Sequence, residues 1–198
     1  MARAAGGHRV FFIEEPVRRG NATYFEKHRV DGVNVVVPIL SERVAAADVD
    51  RELSKALRQF MAGERINQPL LWYYTPLALP WTTDVDAKGV VYDCMDELRN
   101  FKFADPRLCE LEDELIRQAD VVFAGGRSLY EQKRHRHPRT HLFPSSVDGA
   151  HFRRARAELQ QPADQASLPG PRIGYYGVID ERIDLELLDA VAHARPDW

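Results

Sequence analysis

Three carboxylates, Asp93, Asp96 and Glu97, stand at and just beyond the end of the short apolar run Val90–Cys94. Carboxylates at the end of a buried strand can take a proton from an attacking hydroxyl or hold a hydroxyl-bearing ligand. Asp96 has an alternative use as the N-cap of a following helix. Gly125 and Gly126 follow a second apolar run, Asp120–Ala124, and precede a helical pattern. Backbone N–H groups at such a turn can approach a phosphate or a hydroxyl, although a tight strand-to-helix turn needs glycine for its own sake. The segment Lys133–Arg139 (KRHRHPR) is basic. It suits an anionic lipid or a phosphate-bearing ligand, or else a solvated helix end whose cations offset the helix dipole. His135 and His137 have no further ligands nearby, so the segment does not read as a zinc site. Glu14 and Glu15 are adjacent and therefore point to opposite faces of a strand, which does not make an acid pair. Cys94 and Cys109 read as small buried residues rather than nucleophiles.

Positioning these residues requires strands, and the chain supplies six short apolar runs in its first 143 residues: 9–13, 33–37 (closed by Pro38), 69–74, 90–94, 120–124 and 140–143. Continuous apolar runs rather than strict alternation mark strands covered on both faces, the signature of a parallel sheet in an α/β protein. Helical patterns lie between them. Residues 43–63 form one. Asp105-Pro106 predicts the start of another, in which Leu108, Leu111, Leu115, Ile116 and Ala119 make the apolar stripe. Its opposite face, with Glu110, Glu112, Asp113, Glu114 and Arg117, reads as solvated. Ser128 and Glu131 have the spacing of a capping box for the next helix. Residues 144–171 have linker composition. Arg172–Tyr176 predicts a new strand, Gly177 a loop, and Ile183–Ala194 a helix. One strand and one helix cannot cover both faces of the strand, so this last piece reads as the beginning of a domain. MARAAGG at the start resembles the last turns of a helix with a glycine stop, and the strand that commonly precedes such a helix has no counterpart. The expectation is a chain lacking pieces at both ends.

Composition narrows the classes further. With 198 residues, 44% hydrophobic and 29% charged, the chain suits a folded α/β protein and excludes collagen, coiled coil and wholesale disorder. A net charge of −3 gives no general attraction to nucleic acid. No run of about 18 apolar residues predicts a membrane-spanning helix, and the first residues do not read as a signal peptide. Two cysteines fit a reducing compartment and cannot form a disulfide framework. The signatures of dinucleotide, P-loop and α/β-hydrolase sites (G-x-G-x-x-G, Walker, G-x-S-x-G) do not occur.

Five segments, in order, carry a family resemblance: HRVFFIEEP (8–16), VVYDCMDEL (90–98), ADVVFAGGRSLYEQK (119–133), HLFPSSVDGAHF (141–152) and RIGYYGVIDERIDLELLDAVAHARPDW (172–198). In these the chain resembles GT-B glycosyltransferases of the group that includes glycosyltransferase family 4, notably bacterial members of cell-surface polysaccharide synthesis. The resemblance implies a Rossmann-like doubly wound parallel sheet over residues 1–143 as the acceptor-side domain, lacking its first strand. It implies an interdomain linker over 144–171 and the first strand-helix unit of a truncated donor-side domain over 172–198. The implied reaction is glycosyl transfer from a nucleotide-sugar co-substrate to a glycan or lipid-linked acceptor, with no cofactor and no essential metal, and the chain alone, lacking most of the donor site, is expected to have impaired activity. The two cysteines and the lack of a signal-peptide pattern set the expectation of a cytoplasmic protein, with peripheral contact at the inner face of the membrane. On this reading Asp93 and Asp96 are the catalytic candidates, and Glu97, Gly125 and Gly126 bind substrate. Gly177 matches the glycine of the loop near the donor diphosphate. Arg182 stands near a second phosphate-side position, with a surface salt bridge as its alternative. Val178 after Gly177 departs from the arginine common there. The rival reading is a non-catalytic Rossmann-like fragment that binds a partner or a sugar without turnover.

Overall fold

All six apolar runs of the first 143 residues form strands, but they are divided between two sheets. The computed structural model describes residues 2–157, 159–180 and 182–198. Two units are distinguished, Met1–Ser145 and Ser146–Trp198.

In the first unit a short helix α1 (Ala2–Ala5) is followed by β1 (Phe11–Ile13), β2 (Val17–Arg18), β3 (Tyr24–Val30) and β4 (Val33–Leu40). β1 and β2 are both parallel to β4, and β3 is antiparallel to it. The hairpin β3–β4 is not among the elements expected from the apolar runs. Its two-residue loop, Asp31-Gly32, has positive φ at both positions (48° and 83°), the geometry that matches the twist of a hairpin. β4 also runs through Pro38 instead of stopping there. Along one edge of β4 the bonds use even-numbered residues: Asn34 N–H to the Val10 carbonyl, Glu14 N–H to the Val36 carbonyl, Arg19 N–H to the Leu40 carbonyl. Pro38 therefore directs its missing donor at the break between β1 and β2, where no ladder bond is lost.

Helix α2 (Val49–Gly63) begins six residues later than the pattern at 43 suggests, after a 3₁₀ turn at Ala46–Asp48. Its Leu53 and Leu57 pack with Leu40 and Trp81, and Ile13 and Phe25 lie against that cluster. Phe60 meets Phe11 edge-on and Phe25 face to face, which ties α2 to β1 and β3.

The second sheet is fully parallel, in the order β5 (Leu70–Tyr73), β6 (Gly89–Cys94), β7 (Val121–Ala124), β8 (Thr140–Leu142). Helices α3 (Leu79–Thr82), α4 (Leu108–Gln118) and α5 (Arg127–Lys133) complete this half. One face of the sheet, with Tyr73, Tyr92, Cys94, Val122 and Ala124, forms the main core with Leu115, Ile116 and Leu129. The architecture is α/β, with parallel strands in both sheets and one antiparallel strand in the first.

Several local expectations are corrected. Asp105 accepts from Arg107 N–H in a turn, and α4 starts only at Leu108. Ser128 and Glu131 do not form a capping box: Gly126 precedes the first helical residue, Arg127, so Ser128 already lies inside α5. Cys94 is buried, but Cys109 is exposed.

In the second unit, the expected linker contains a short helix α6 (Gly149–Arg153), capped by the Asp148 carboxylate through Ala150 and His151 N–H. Arg172–Tyr176 is not a strand. A strand needs a neighbour to take its backbone bonds, and no strand pairs with this segment among the described residues. Helix α7 (Leu185–Ala194) does form, two residues shorter than expected, with Asp184 accepting from Leu187 N–H at its start. None of the described residues of this unit is buried. No helix among the described residues is long and apolar enough to cross a membrane.

Candidate functional site

Strand β6 ends with Asp93 and Cys94, whose side chains leave opposite faces of the sheet. Cys94 enters the core. Asp93 emerges among aromatic residues and is itself only 8% exposed. Its Oδ2 accepts a hydrogen bond from the Trp72 indole Nε1 at 3.1 Å. Its Oδ1 is shut off from solvent and has no hydrogen-bond partner, the one such side-chain atom among the described residues. Burial raises the Asp93 pKa above the ordinary carboxylate value, and the Trp72 bond offsets only part of this. Burial and the Asp93 charge together push the Tyr74 hydroxyl up as well.

Parallel register builds the surroundings. Asp93 is level with Phe123 on β7, and Phe123 with His141 on β8. Trp72 stacks on Phe123 with ring centroids 5.7 Å apart, and Phe143 sits 5.2 Å from Phe123. Trp72 is 43% and Phe143 64% exposed, so the row is a shelf open to solvent with a buried acid beside it. An unpaired buried acceptor costs on the order of 1–3 kcal/mol or more, and such groups collect where a ligand supplies the missing donor. Its place is the carboxyl end of a parallel strand, the side of an open α/β sheet where ligands bind. Chemically, Oδ1 can accept a hydroxyl proton, and a raised pKa makes the carboxylate a stronger base.

The other carboxylates are elsewhere in character. Asp96 is exposed, and its backbone carbonyl accepts from the Cys94 thiol. It does not cap a helix: the short turn at Leu98–Asn100 is preceded by Glu97. Glu97 belongs to an ionic cluster. Lys133, 1% exposed, reaches Glu97 at 3.2 Å and Glu112 at 2.7 Å. Glu112 also accepts from the Tyr92 hydroxyl at 2.8 Å and from Arg136 at 3.1 Å, while Arg99 pairs with Glu97 at 3.0 Å. Burial alone would raise the Glu112 pKa, but Lys133, Tyr92 and Arg136 outweigh it and hold the carboxyl below its usual value. The Tyr92 hydroxyl is pushed far up, first by burial, and remains a donor. Glu97 is thus held by two cations within the chain, and Glu112 and Lys133 are buried rather than solvated as their neighbours in sequence suggest.

The remaining cations of the basic segment are also paired: Arg134 with Glu131, Arg136 with Asp113, Arg139 with Asp120. The His137 Nδ1 accepts from Arg139 N–H.

Gly125 lies one strand over from Asp93. Its N–H is already committed to the Cys94 carbonyl at 2.8 Å, so it is not an open donor for a phosphate. A Cβ on Gly125 would stand 3.1 Å from Met95 Cα and 3.2 Å from the Met95 carbonyl; glycine is needed here for close approach of two backbones. Gly126 has open space around it and precedes α5, a helix of only seven residues. Gly177 and Arg182 lie in the second unit. A Cβ on Gly177 would meet the Tyr175 hydroxyl at 2.7 Å, and Arg182 pairs with Asp180 at 2.6 Å. Among the described residues no group of three or more His, Cys, Asp or Glu side chains is arranged to hold a metal ion.

The aromatic partners Trp72, Tyr74, Phe123 and Phe143 were not foreseen. Trp72 and Tyr74 share a face by period two, which the sequence does show, but their meeting with Asp93 and Phe123 depends on register between strands far apart in the chain. Glu112 had a readable signal: it stands four residues after Leu108 and four before Ile116, on the apolar stripe of α4. No family model matches the chain, and no curated protein matches it.

Proposed function

We propose that the chain is a GT-B-like glycosyltransferase acting in the cytoplasm, in which the first unit holds the acceptor and Asp93 is the base toward the acceptor hydroxyl. The observation that carries this reading is the buried Asp93 Oδ1 that has no donor. A hydroxyl placed against Oδ1 would satisfy it, and its proton would pass to Oδ1 as the hydroxyl oxygen attacks the sugar carbon and the nucleotide diphosphate departs. The aromatic shelf of Trp72, Phe123 and Phe143 suits the apolar face of a sugar or the first part of a lipid-linked glycan. Parallel strands with their carboxyl ends at the site agree with a Rossmann-like domain. Asp96, exposed and two residues past β6, would contact the acceptor rather than take its proton.

The non-catalytic reading has its own support. Gly177 is hemmed in by Tyr175, and Arg182 is occupied by Asp180, so neither forms a ready cradle for a diphosphate.

Calorimetric titration of the purified chain with UDP, GDP and their sugar conjugates, followed by transfer assays on lipid-linked acceptors, tests the proposal. The expected result is binding of one nucleotide and transfer that falls about 10²–10⁴-fold in Asp93→Asn, with nucleotide binding retained. Transfer unchanged in Asp93→Asn would overturn the role of Asp93. A folded chain that binds sugars on the aromatic shelf but no nucleotide would favour the non-catalytic reading.

A further inference from the structure

A cavity lies beside the first sheet and shares no residue with the Asp93 site. It is an open cleft of about 300 Å³ between the carboxyl end of β4, the loop after β2 and the flank of α2. That volume is at the lower end of small-molecule sites, about 300–1,000 Å³. Asn21, Thr23, Ser41, Glu52, Lys55 and Gln59 supply its polar groups.

The hydrogen-bond arrangement of these groups is directional. Thr23 Oγ1 accepts from Ser41 N–H at 3.1 Å, and Ser41 Oγ accepts from Arg43 N–H at 3.2 Å. Each hydroxyl is therefore fixed as an acceptor toward the backbone and keeps its own proton to donate. Ser41 is only 5% exposed, so its hydroxyl proton has little access to water. Lys55 has no ion pair, and Asn21 and Gln59 have no hydrogen bond through their amides, among the described residues. Glu52 is the one carboxylate of the cleft, held loosely by Arg51 at 3.6 Å.

Donors (two hydroxyl protons, one ammonium and two amides) line the cleft, and one carboxylate, Glu52, lies a helical turn from Lys55 on the same flank of α2. The donors suit an oxyanion, with lysine as its point charge. The carboxylate suits hydroxyl groups that must donate. We infer that the cleft at Thr23, Ser41 and Lys55 binds a monosaccharide-sized molecule carrying one phosphate or carboxylate group, the anion at Lys55 and its sugar hydroxyls at Glu52. This binding site goes beyond the proposed transfer reaction and does not depend on it.

The test is amide-shift titration of the full chain by NMR with glucose 6-phosphate, glucuronate, glucose and inorganic phosphate. At least one of the two anionic sugars is expected to shift the Thr23, Ser41 and Lys55 amides in a saturable way. Glucose should bind about tenfold more weakly, the loss of one charge-assisted contact. Lys55→Ala, an exposed site whose substitution leaves the core intact, should reduce the anionic sugar to the level of glucose. Thr23→Val should weaken both. Saturable shifts from glucose 6-phosphate alone would identify the phosphate as the recognised group, and from glucuronate alone the carboxylate. No saturable shift at these amides from either anionic sugar would overturn the inference, as would equal affinity in Lys55→Ala. Inorganic phosphate binding as tightly as the anionic sugars would overturn recognition of the sugar.

Discussion

Two buried carboxylates lie on opposite faces of strand β6, and they are opposites. Glu112, on α4, accepts from the Tyr92 hydroxyl, from Lys133 and from Arg136. Asp93, the next residue along the strand from Tyr92, accepts from the Trp72 indole and leaves an oxygen unpaired. The first carboxyl is held below its ordinary pKa and the second is driven above it. A completed ionic cluster stabilises the fold on one face. On the other face an incomplete one stores an unmet hydrogen bond that a ligand can supply. Adjacent positions in one strand thus meet a completed cluster on one face and an unpaired acceptor on the other, because successive side chains face different environments.

Breaking the completed side has the largest expected effect. Glu112→Gln leaves Lys133, 1% exposed, with only Glu97 as an anionic partner. Urea unfolding should show a loss of about 3–5 kcal/mol. The double replacement Glu112→Leu with Lys133→Met should recover part of that loss, because it removes both buried charges together while leaving the Tyr92 hydroxyl without its acceptor. If the double variant is as unstable as the single one, the cluster contributes through packing rather than through charge.

Acid sharpens the same side. The Glu112 pKa lies below its unfolded value, so its contribution is present above the unfolded pKa and is lost as pH falls through the folded one. Wild-type stability should therefore drop on acidification below the ordinary carboxylate range. The acid limb should be flatter in the Glu112→Leu, Lys133→Met variant, as read from unfolding midpoints across pH.

Gly125→Ala tests the geometry at the end of β6. Its new methyl would meet Met95 backbone at 3.1 Å, and backbone gives way less easily than a side chain. A loss of about 1–3 kcal/mol is expected, measured as a lower midpoint in urea. A neutral outcome would show that the β6 and β7 ends are not held as closely as described.

How much of this was legible depended on range along the chain. Runs such as Val90–Cys94 and Asp120–Ala124 carry their strand character locally, and all six were readable. The Asp31-Gly32 hairpin was also readable in principle, because an Asp-Gly pair beside Val33 is a strong turn signal; the charged stretch Tyr24–Val30 concealed its strand. Arg172–Tyr176 shows the converse. Its residues favour a strand, but strand formation needs a pairing neighbour that composition cannot supply. Asp93 was found from its place at a strand end, whereas Trp72 and Phe123 reach it through inter-strand register. Lys133 reads as solvated within its basic run, although it follows Leu129 by four residues and so faces the core.

The most direct test of the central claim, that Asp93 is a buried acid held for chemistry at a cost in stability, is the thermal midpoint of Asp93→Asn against wild type at two pH values. The folded pKa of Asp93 lies above its unfolded value. Its contribution to stability is therefore fully present below the unfolded pKa and is lost as pH rises through the folded pKa. Asparagine keeps the shape and an oxygen for the Trp72 indole but carries no charge, and an unpaired amide costs less to bury than an unpaired carboxylate. At neutral pH the variant should be more stable by about 0.5–2 kcal/mol, as substitutions at strained functional positions commonly are. That gain should disappear as pH falls below the ordinary carboxylate range. A variant less stable than wild type at neutral pH, or a gain that does not change with pH, would contradict the account.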